Sequence, residues 1–211
     1  IVRLRGITTL NDNNPIFVVD GVITNDVSFL NPSDIESVEV LKDASSTAIF
    51  GSRGSNGVII FTTKSGRTDK PRVNVSMEQG WETVARKLDL MNRDEFARFY
   101  NAIEPGRYNN PDILPDIDWQ EEVFQDMAPI SNFNASVSGQ SENLNYFISG
   151  GYYSQEGIVP KSGFQRASAR INTVYTIREG IDLGVNFTVS HTNKENSPNV
   201  IYMIYRGFPI D

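Results

Sequence analysis

The chain has 211 residues, no cysteine, one histidine (His191) and a formal net charge of −7. The missing cysteine excludes disulfides, thiolate nucleophiles and Cys-ligated metals, and an acidic balance without a basic cluster argues against a nucleic-acid partner. No apolar run approaches the roughly 18 residues of a membrane helix. "IVRLRG" at the start is strand-like, with no signal peptide. Two expectations follow from that: a cytosolic chain, or a longer protein whose N-terminus lies upstream of Ile1. Length by itself suggests one or two soluble domains.

In chain order, "NDNN" before Pro15 is first. The glycine and closing glutamate of an EF-hand loop are missing there, so a turn is expected rather than a calcium site. "SVEVLK", Ser37 to Lys42, alternates and is valine-rich, which predicts a strand. Asp43 stands at an N-cap position before "ASSTAIF", a short helix, and Gly51 stands where a C′ glycine closes it. "GSRGSNG" then reads as a loop, and "VIIFTTK", Val58 to Lys64, as an apolar strand. A phosphate-binding loop runs from strand to loop to helix. Here the glycines follow a helix and lead into a strand, so they are expected to serve positive φ and close backbone approach.

From Arg72 onward the pattern changes to period two. In "IDLGVNFTVS", Ile181, Leu183, Val185, Phe187 and Val189 fall on one face, with Asp182, Gly184, Asn186, Thr188 and Ser190 on the other. "ASARINTVYTI" sets Ala167, Ala169, Ile171, Thr173, Tyr175 and Ile177 against Arg166, Ser168, Arg170, Asn172 and Thr176, with Val174 as the exception. "NFNASVSG", "LNYFISGGYY" and "VNVSMEQGWET" repeat the scheme, for example Phe133, Ala135 and Val137 against Asn132, Asn134, Ser136 and Ser138. The polar face is Asn, Ser, Gly and Thr rather than Lys and Glu. That suits a wall between lipid and a polar lumen, built of strands of about ten residues.

The connections support this. "GQSEN" (Gly139 to Asn143) and "REG" (Arg178 to Gly180) are tight turns, "YSQEGIVPKSGFQ" is intermediate, and Arg86 to Ala128 is long. Short periplasmic turns and long extracellular loops have this asymmetry. The long loop is expected to carry helices: "NRDEFARFYNAI", with Asn92 and Glu95 at capping-box spacing, and "DWQEEVFQDM". His191 has no second histidine to share a metal. Asp116, Asp118, Glu121 and Glu122 read as a solvated loop face rather than a glycosidase pair. The sequons at Asn74, Asn134 and Asn186 fall within strands, where a glycan does not fit.

The stretch "NPIFVVDGV…LNPSDIESVEVLKDASSTAIFGSRGSNGVIIFTTKSG" resembles the latter part of the plug of a SusC/RagA-type TonB-dependent outer-membrane transporter. The match begins at "VRLRG" and runs to Gly66. "DWQEEVF", "NYFISGGYYSQEGIV" and "RASARIN" resemble that family's first barrel strands. The resemblance implies a mixed fold. An α+β plug segment (1–66) and a linker (67–71) lead to antiparallel transmembrane strands (72–211), about five of the ~22 of a plugged transporter barrel. The chain is therefore expected to be a fragment, or part of a larger protein.

The resemblance marks Asp20, Gly21, Asp43, Gly51, Ser52, Arg53, Gly54 and Gly57 as the plug motif, bracing or gating. Asp43 and Arg53 are expected to pair with each other or with Glu78 or Asp182. It also implies import of oligosaccharides or peptides across the outer membrane, driven through TonB, with a SusD-like surface lipoprotein as partner. No cofactor, metal or chemistry on the substrate is implied. The alternatives are a siderophore or cobalamin receptor, and a soluble β-rich adhesin or glycan-binding domain.

Overall fold

The computed structural model describes residues 14–66, 70–197 and 200–210. "IVRLRG" and most of "NDNN" lie outside them. By internal contacts the chain falls into two compact units. One comprises Ile1–Met77, Asn132–Tyr152 and Arg166–Thr192; the other comprises Glu78–Ser131, Tyr153–Gln165 and Asn193–Asp211.

The first unit opens with a small mixed sheet. Strands β1 (Ile16–Val19), β2 (Val22–Thr24), β3 (Ile35–Leu41) and β4 (Val58–Thr63) lie in the order β2-β1-β4-β3. β1 runs parallel to β4, with Ile16 opposite Val58, while β2 and β3 are antiparallel to their neighbours. The apolar runs "IFVV" and "VIIFTT" occupy the two central positions, where both faces can be covered. Ile16, Val18 and Val58 are buried, and Leu41, Phe50 and Ile60 pack on them. Each such side chain contributes roughly 1.5–3 kcal/mol by leaving water.

Between β3 and β4 the expected single helix is not formed. Helix α1 covers only Ala44–Thr47, and 3₁₀ turns occupy Ala48–Asn56, broken at Gly51. The Ser46 and Thr47 hydroxyls both bond back to the Asp43 carbonyl at 3.0 Å. Side chains of this kind give the backbone alternatives to a helix and weaken a short one.

Five further strands form a second sheet in sequence order: β5 (Arg72–Glu82), β6 (Ala128–Gln140), β7 (Leu144–Glu156), β8 (Gly163–Arg178) and β9 (Ile181–Glu195). They are 11 to 16 residues long rather than about ten. All but β5 exceed the ~9–11 residues a tilted strand needs to cross hydrocarbon. The intermediate connection shrinks accordingly, because β7 and β8 extend into it and leave a turn at 157–162.

The apolar face of this sheet is exposed along its length: Val73, Val75 and Met77 on β5, Ile148 on β7, Ile171 and Tyr175 on β8, Leu183 through Val189 at alternate positions on β9. Phe147 breaks the pattern. It is apolar yet buried on the polar side of β7.

In the second unit the long loop carries both expected helices. α2 (Arg93–Ile103) has the full capping box, Glu95 N to Asn92 Oδ1 at 2.9 Å and Asn92 N to Glu95 Oε2 at 3.1 Å. α3 (Trp119–Val123) is capped by Asp118. A helix not predicted, α4 (Ile201–Arg206), precedes Phe208, whose ring stacks 5.1 Å from Phe96 and whose carbonyl accepts from Trp119 Nε1 at 2.9 Å. Among the described residues no helix is long and apolar enough to cross a membrane.

Candidate functional site

Within the first unit, the small mixed sheet and its turns meet the polar face of the long strands through side-chain hydrogen bonds and an ion pair. The centre is the β1–β2 turn. Asp20 (φ 47°) and Gly21 (φ 86°) both have positive φ, the pattern of a two-residue hairpin turn for which Asp-Gly is well suited. That backbone holds the Asp20 carboxylate over the end of β4 and the inner face of β8 and β9. It accepts from Thr63 N at 2.8 Å, Thr63 Oγ1 at 2.7 Å and Asn186 Nδ2 at 2.7 Å.

Arg170, only 2 % exposed, forms an ion pair with Asp20 through Nη2. The same guanidinium donates to Thr63 Oγ1 at 2.5 Å, Asn186 Oδ1 at 2.8 Å and Thr188 Oγ1 at 3.0 Å. Burial pushes the Asp20 carboxyl up, but the Thr63 and Asn186 hydrogen bonds and the Arg170 charge outweigh it and hold it below the usual carboxylate range. A buried charge without such partners is strongly destabilising, so this network fixes the β1–β2 turn on β8 and β9.

Three more contacts extend the seam. Asn31 caps the turn at Ser33 N (3.1 Å) and donates Nδ2 to Asn134 Oδ1 at 2.6 Å. Arg166 Nη1 reaches the carbonyls of Ser28 (3.2 Å) and Leu30 (3.0 Å). Asn172 Nδ2 donates to Lys64 O at 3.2 Å. Close to these sits Asp34, 5 % exposed. Burial pushes its carboxyl above the usual range, only partly offset by the Ser149 hydroxyl and the charges of Arg170, Lys64 and Arg166.

The remaining motif residues are placed differently. Asp43 N-caps α1 without a side-chain bond, and Asp43, Gly51, Ser52 and Arg53 are exposed. Neither Asp43 nor Arg53 forms an ion pair among the described residues, contrary to expectation. Asp182 instead accepts from Thr176 Oγ1 at 2.7 Å. The break at Gly51 separates Arg53 from Asp43, and the charge that meets the wall is the aspartate of the earlier turn.

Gly51 does have positive φ, but at φ 61° and ψ −150° it lies outside the left-handed helical region of a C′ residue. Gly54 is buried, and a Cβ there would meet the Thr47 carbonyl at 2.8 Å. Gly57 (φ 99°) leads into β4.

The network residues Thr63, Arg170, Asn186 and Thr188 were not singled out by motif. One signal was present: Arg166 and Arg170 stand four apart on a strand face that is otherwise Ser, Asn and Thr apart from Val174. Charges so placed inside a wall call for partners.

Against known proteins, the TonB-dependent Receptor Plug Domain family matches residues 1–58. The chain is 38% identical over 195 residues to TonB-dependent receptor P3 of Formosa agariphila, covering 92% of this chain and 19% of that protein. It is 34% identical over 206 residues to TonB-dependent receptor SusC of Bacteroides thetaiotaomicron, covering 92% and 20%. Its fold matches the RagAB peptide importer in the closed-closed state with a TM-score of 0.78 at 28% identity, covering 88% of this chain and 25% of that one.

Over the part of them that it spans, the chain is similar to SusC/RagA-like TonB-dependent receptors. It spans about a fifth of the length of the curated relatives it matches. In the terms of such receptors, the small sheet is plug, the five long strands are barrel wall, and the Asp20–Arg170 network is a plug–wall seam.

Proposed function

We propose that the protein carrying this chain imports oligosaccharides or peptides across the outer membrane in a TonB-dependent manner, with a SusD-like surface lipoprotein as partner. We assign residues 1–66 to the plug, 67–71 to a linker and 72–211 to the first wall strands, with the loop at 86–128 extracellular and the turns at Gly139–Asn143 and Arg178–Gly180 periplasmic.

One observation carries this reading. The polar face of the wall is bonded to the plug, whereas its apolar face is exposed. A soluble adhesin sandwich would bury the apolar face instead, and a wall facing lipid leaves it outward. The similarity to SusC and to the RagAB peptide importer favours the oligosaccharide and peptide branch over siderophores and cobalamin.

In this mechanism the plug closes the lumen, and pulling through TonB must loosen the seam before solute passes. A seam of hydrogen bonds and one ion pair can re-form with water as it parts, unlike an apolar core. The Asp20–Arg170 pair sets how firmly the turn is held.

The test uses the full-length transporter in cells. Asn31→Cys paired with Gly151→Cys places two thiols across the seam, since a Cβ at Gly151 would touch the Asn31 side chain. A short thiol crosslinker should stop uptake of labelled oligosaccharide or peptide while surface binding persists, and deletion of TonB should mimic it. Undiminished uptake in fully crosslinked or TonB-lacking cells contradicts the reading.

A further inference from the structure

A small polar cavity of about 200 Å³ lies beside the β7–β8 turn, wholly within the second unit. Its frame is fixed by bonds of its own. Gly157 N donates to Ser162 O at 2.8 Å, Ser162 Oγ to Val159 O at 2.6 Å, and Gln125 N to Ile158 O at 2.8 Å. Lys161 is held in that turn at φ 59°, a conformation uncommon for a residue other than glycine. Glu156, Gln165, Asn193 and Glu195 line the cavity, and their side chains take no part in the frame. None of the four makes a side-chain hydrogen bond or ion pair among the described residues.

Strand position decides what can reach these side chains. Alternate positions of one strand share a face. On β8 that face runs Ile171, Ala169, Ala167, Gln165, and on β9 it runs Val189, His191, Asn193, Glu195, all of them exposed. On β7, Glu156 is in line with the exposed Ile148 and Tyr152. The cavity therefore opens on the apolar face, where apolar side chains give way to amides and carboxylates.

We propose that this cavity binds the sugar headgroup of a membrane glycolipid. The inference rests on the reading that the apolar face meets lipid, and it concerns the lipid around the protein rather than the solute carried. Amides donate and accept, carboxylates accept, and together they match the neighbouring hydroxyls of a sugar ring. A phosphate headgroup does not fit, because no arginine fork lines the cavity and two glutamates outnumber Lys161. The cavity is smaller than the ~300–1,000 Å³ of sites that enclose a whole small-molecule ligand, so it takes a single ring. Acyl chains attached to that ring would lie along Ala169, Ile171 and Val189. A soluble oligosaccharide offers the same hydroxyls without the chains.

The test uses the full-length protein, extracted from outer membranes in a detergent without a sugar headgroup and examined by native mass spectrometry. Wild type should carry a glycolipid adduct. The double variant Gln165→Ala, Asn193→Ala should lose it at least several-fold, with phospholipid adducts, heat-modifiable folding and solute uptake unchanged. Where the double variant fails to insert, Asn193→Ala alone, at an exposed position near the end of β9, should still weaken the adduct. Delipidated wild type placed in bilayers of phosphatidylethanolamine with added lipopolysaccharide should regain the adduct, and the variant should not. Equal glycolipid adducts in wild type and in the folded variant overturn the proposal. So does a phospholipid adduct that the variant loses, or a soluble oligosaccharide that binds at these residues where glycolipid does not. A protein that inserts and imports solute yet carries no glycolipid refutes this inference alone, whereas one that never enters membranes refutes the reading beneath it as well.

Discussion

The two tight segments of the plug, the Asp20–Gly21 turn and the Gly51–Gly57 stretch, share a composition and differ in what they touch. Each carries glycine at positive φ, one in the first and two in the second, and one charged side chain. The first delivers its charge to a buried arginine of the wall. The second presents Ser52 and Arg53 to solvent and buries only Gly54 and Gly57. Glycine-rich sequence thus marks where the backbone bends sharply, and says little about where the chemistry is. The chemistry sits where a charge is removed from water and needs a partner.

The largest expected effect in breaking that comparison is at Arg170. Arg170→Ala in the full-length protein leaves Asp20 partly buried without its ion-pair partner, and should cost about 3–5 kcal/mol of plug–wall association. The measure is hydrogen exchange at Asp20 and Thr63, which should rise while the fraction of heat-modifiable folded barrel stays unchanged. Arg53→Ala should alter neither. Equal exchange in the two variants would erase the distinction between the segments.

The outer face of the wall comes next. Val185→Arg puts a charge among exposed apolar side chains of β9 and should cost about 2–4 kcal/mol in barrel folding if that face meets lipid. Asn186, the adjacent residue, faces inward in the Asp20 network, so Asn186→Ala should loosen the plug and leave barrel insertion intact. Urea titration of the folded barrel in lipid separates the two.

Gly51→Val tests the second segment. Its φ of 61° and ψ of −150° lie in a region open essentially to glycine, and no atom lies within 4 Å of an added Cβ. The cost is therefore backbone strain, about 1–3 kcal/mol, without a clash. Plug protection should fall locally around Ala48–Asn56 and not at Asp20.

The two seam aspartates should respond to pH in opposite directions. Asp20 titrates below the usual carboxylate range, so its contribution is present above that range and is lost as pH falls through its lowered pKa. Asp34 titrates above the usual range, so its charge opposes folding once pH passes the ordinary carboxylate value, and protonation relieves this as pH falls through the raised one. Asp34→Asn should remove the second dependence and keep the first, read from plug protection against pH.

The smallest effect belongs to the loop. Asn92→Ala removes the capping box of α2 and should cost about 1 kcal/mol, visible as fraying of Arg93–Ile103 with the seam unchanged.

The sequence by itself determined the elements whose signal is local. Strict alternation over ten residues assigned the two faces of β9, because side chains alternate on any strand. Asn92 and Glu95 announced a capping box because both partners lie within one turn. The valine-rich run at Ser37 and the apolar run at Val58 became β3 and β4 for the same reason. The length of β8 and the fragmentation of "ASSTAIF" were hidden. The first depends on cross-strand partners, and the second on competition between serine hydroxyls and a helix too short to propagate.

The seam was decided only by the tertiary structure. Asp20 and Arg170 are separated by 150 positions and Asp20 and Asn186 by 166, and no local rule relates residues so far apart. Folding sets them together because β1 lies beside β4 and both end against the inner face of β8 and β9. A charge in that position keeps its ionised form only when its partner is brought to it.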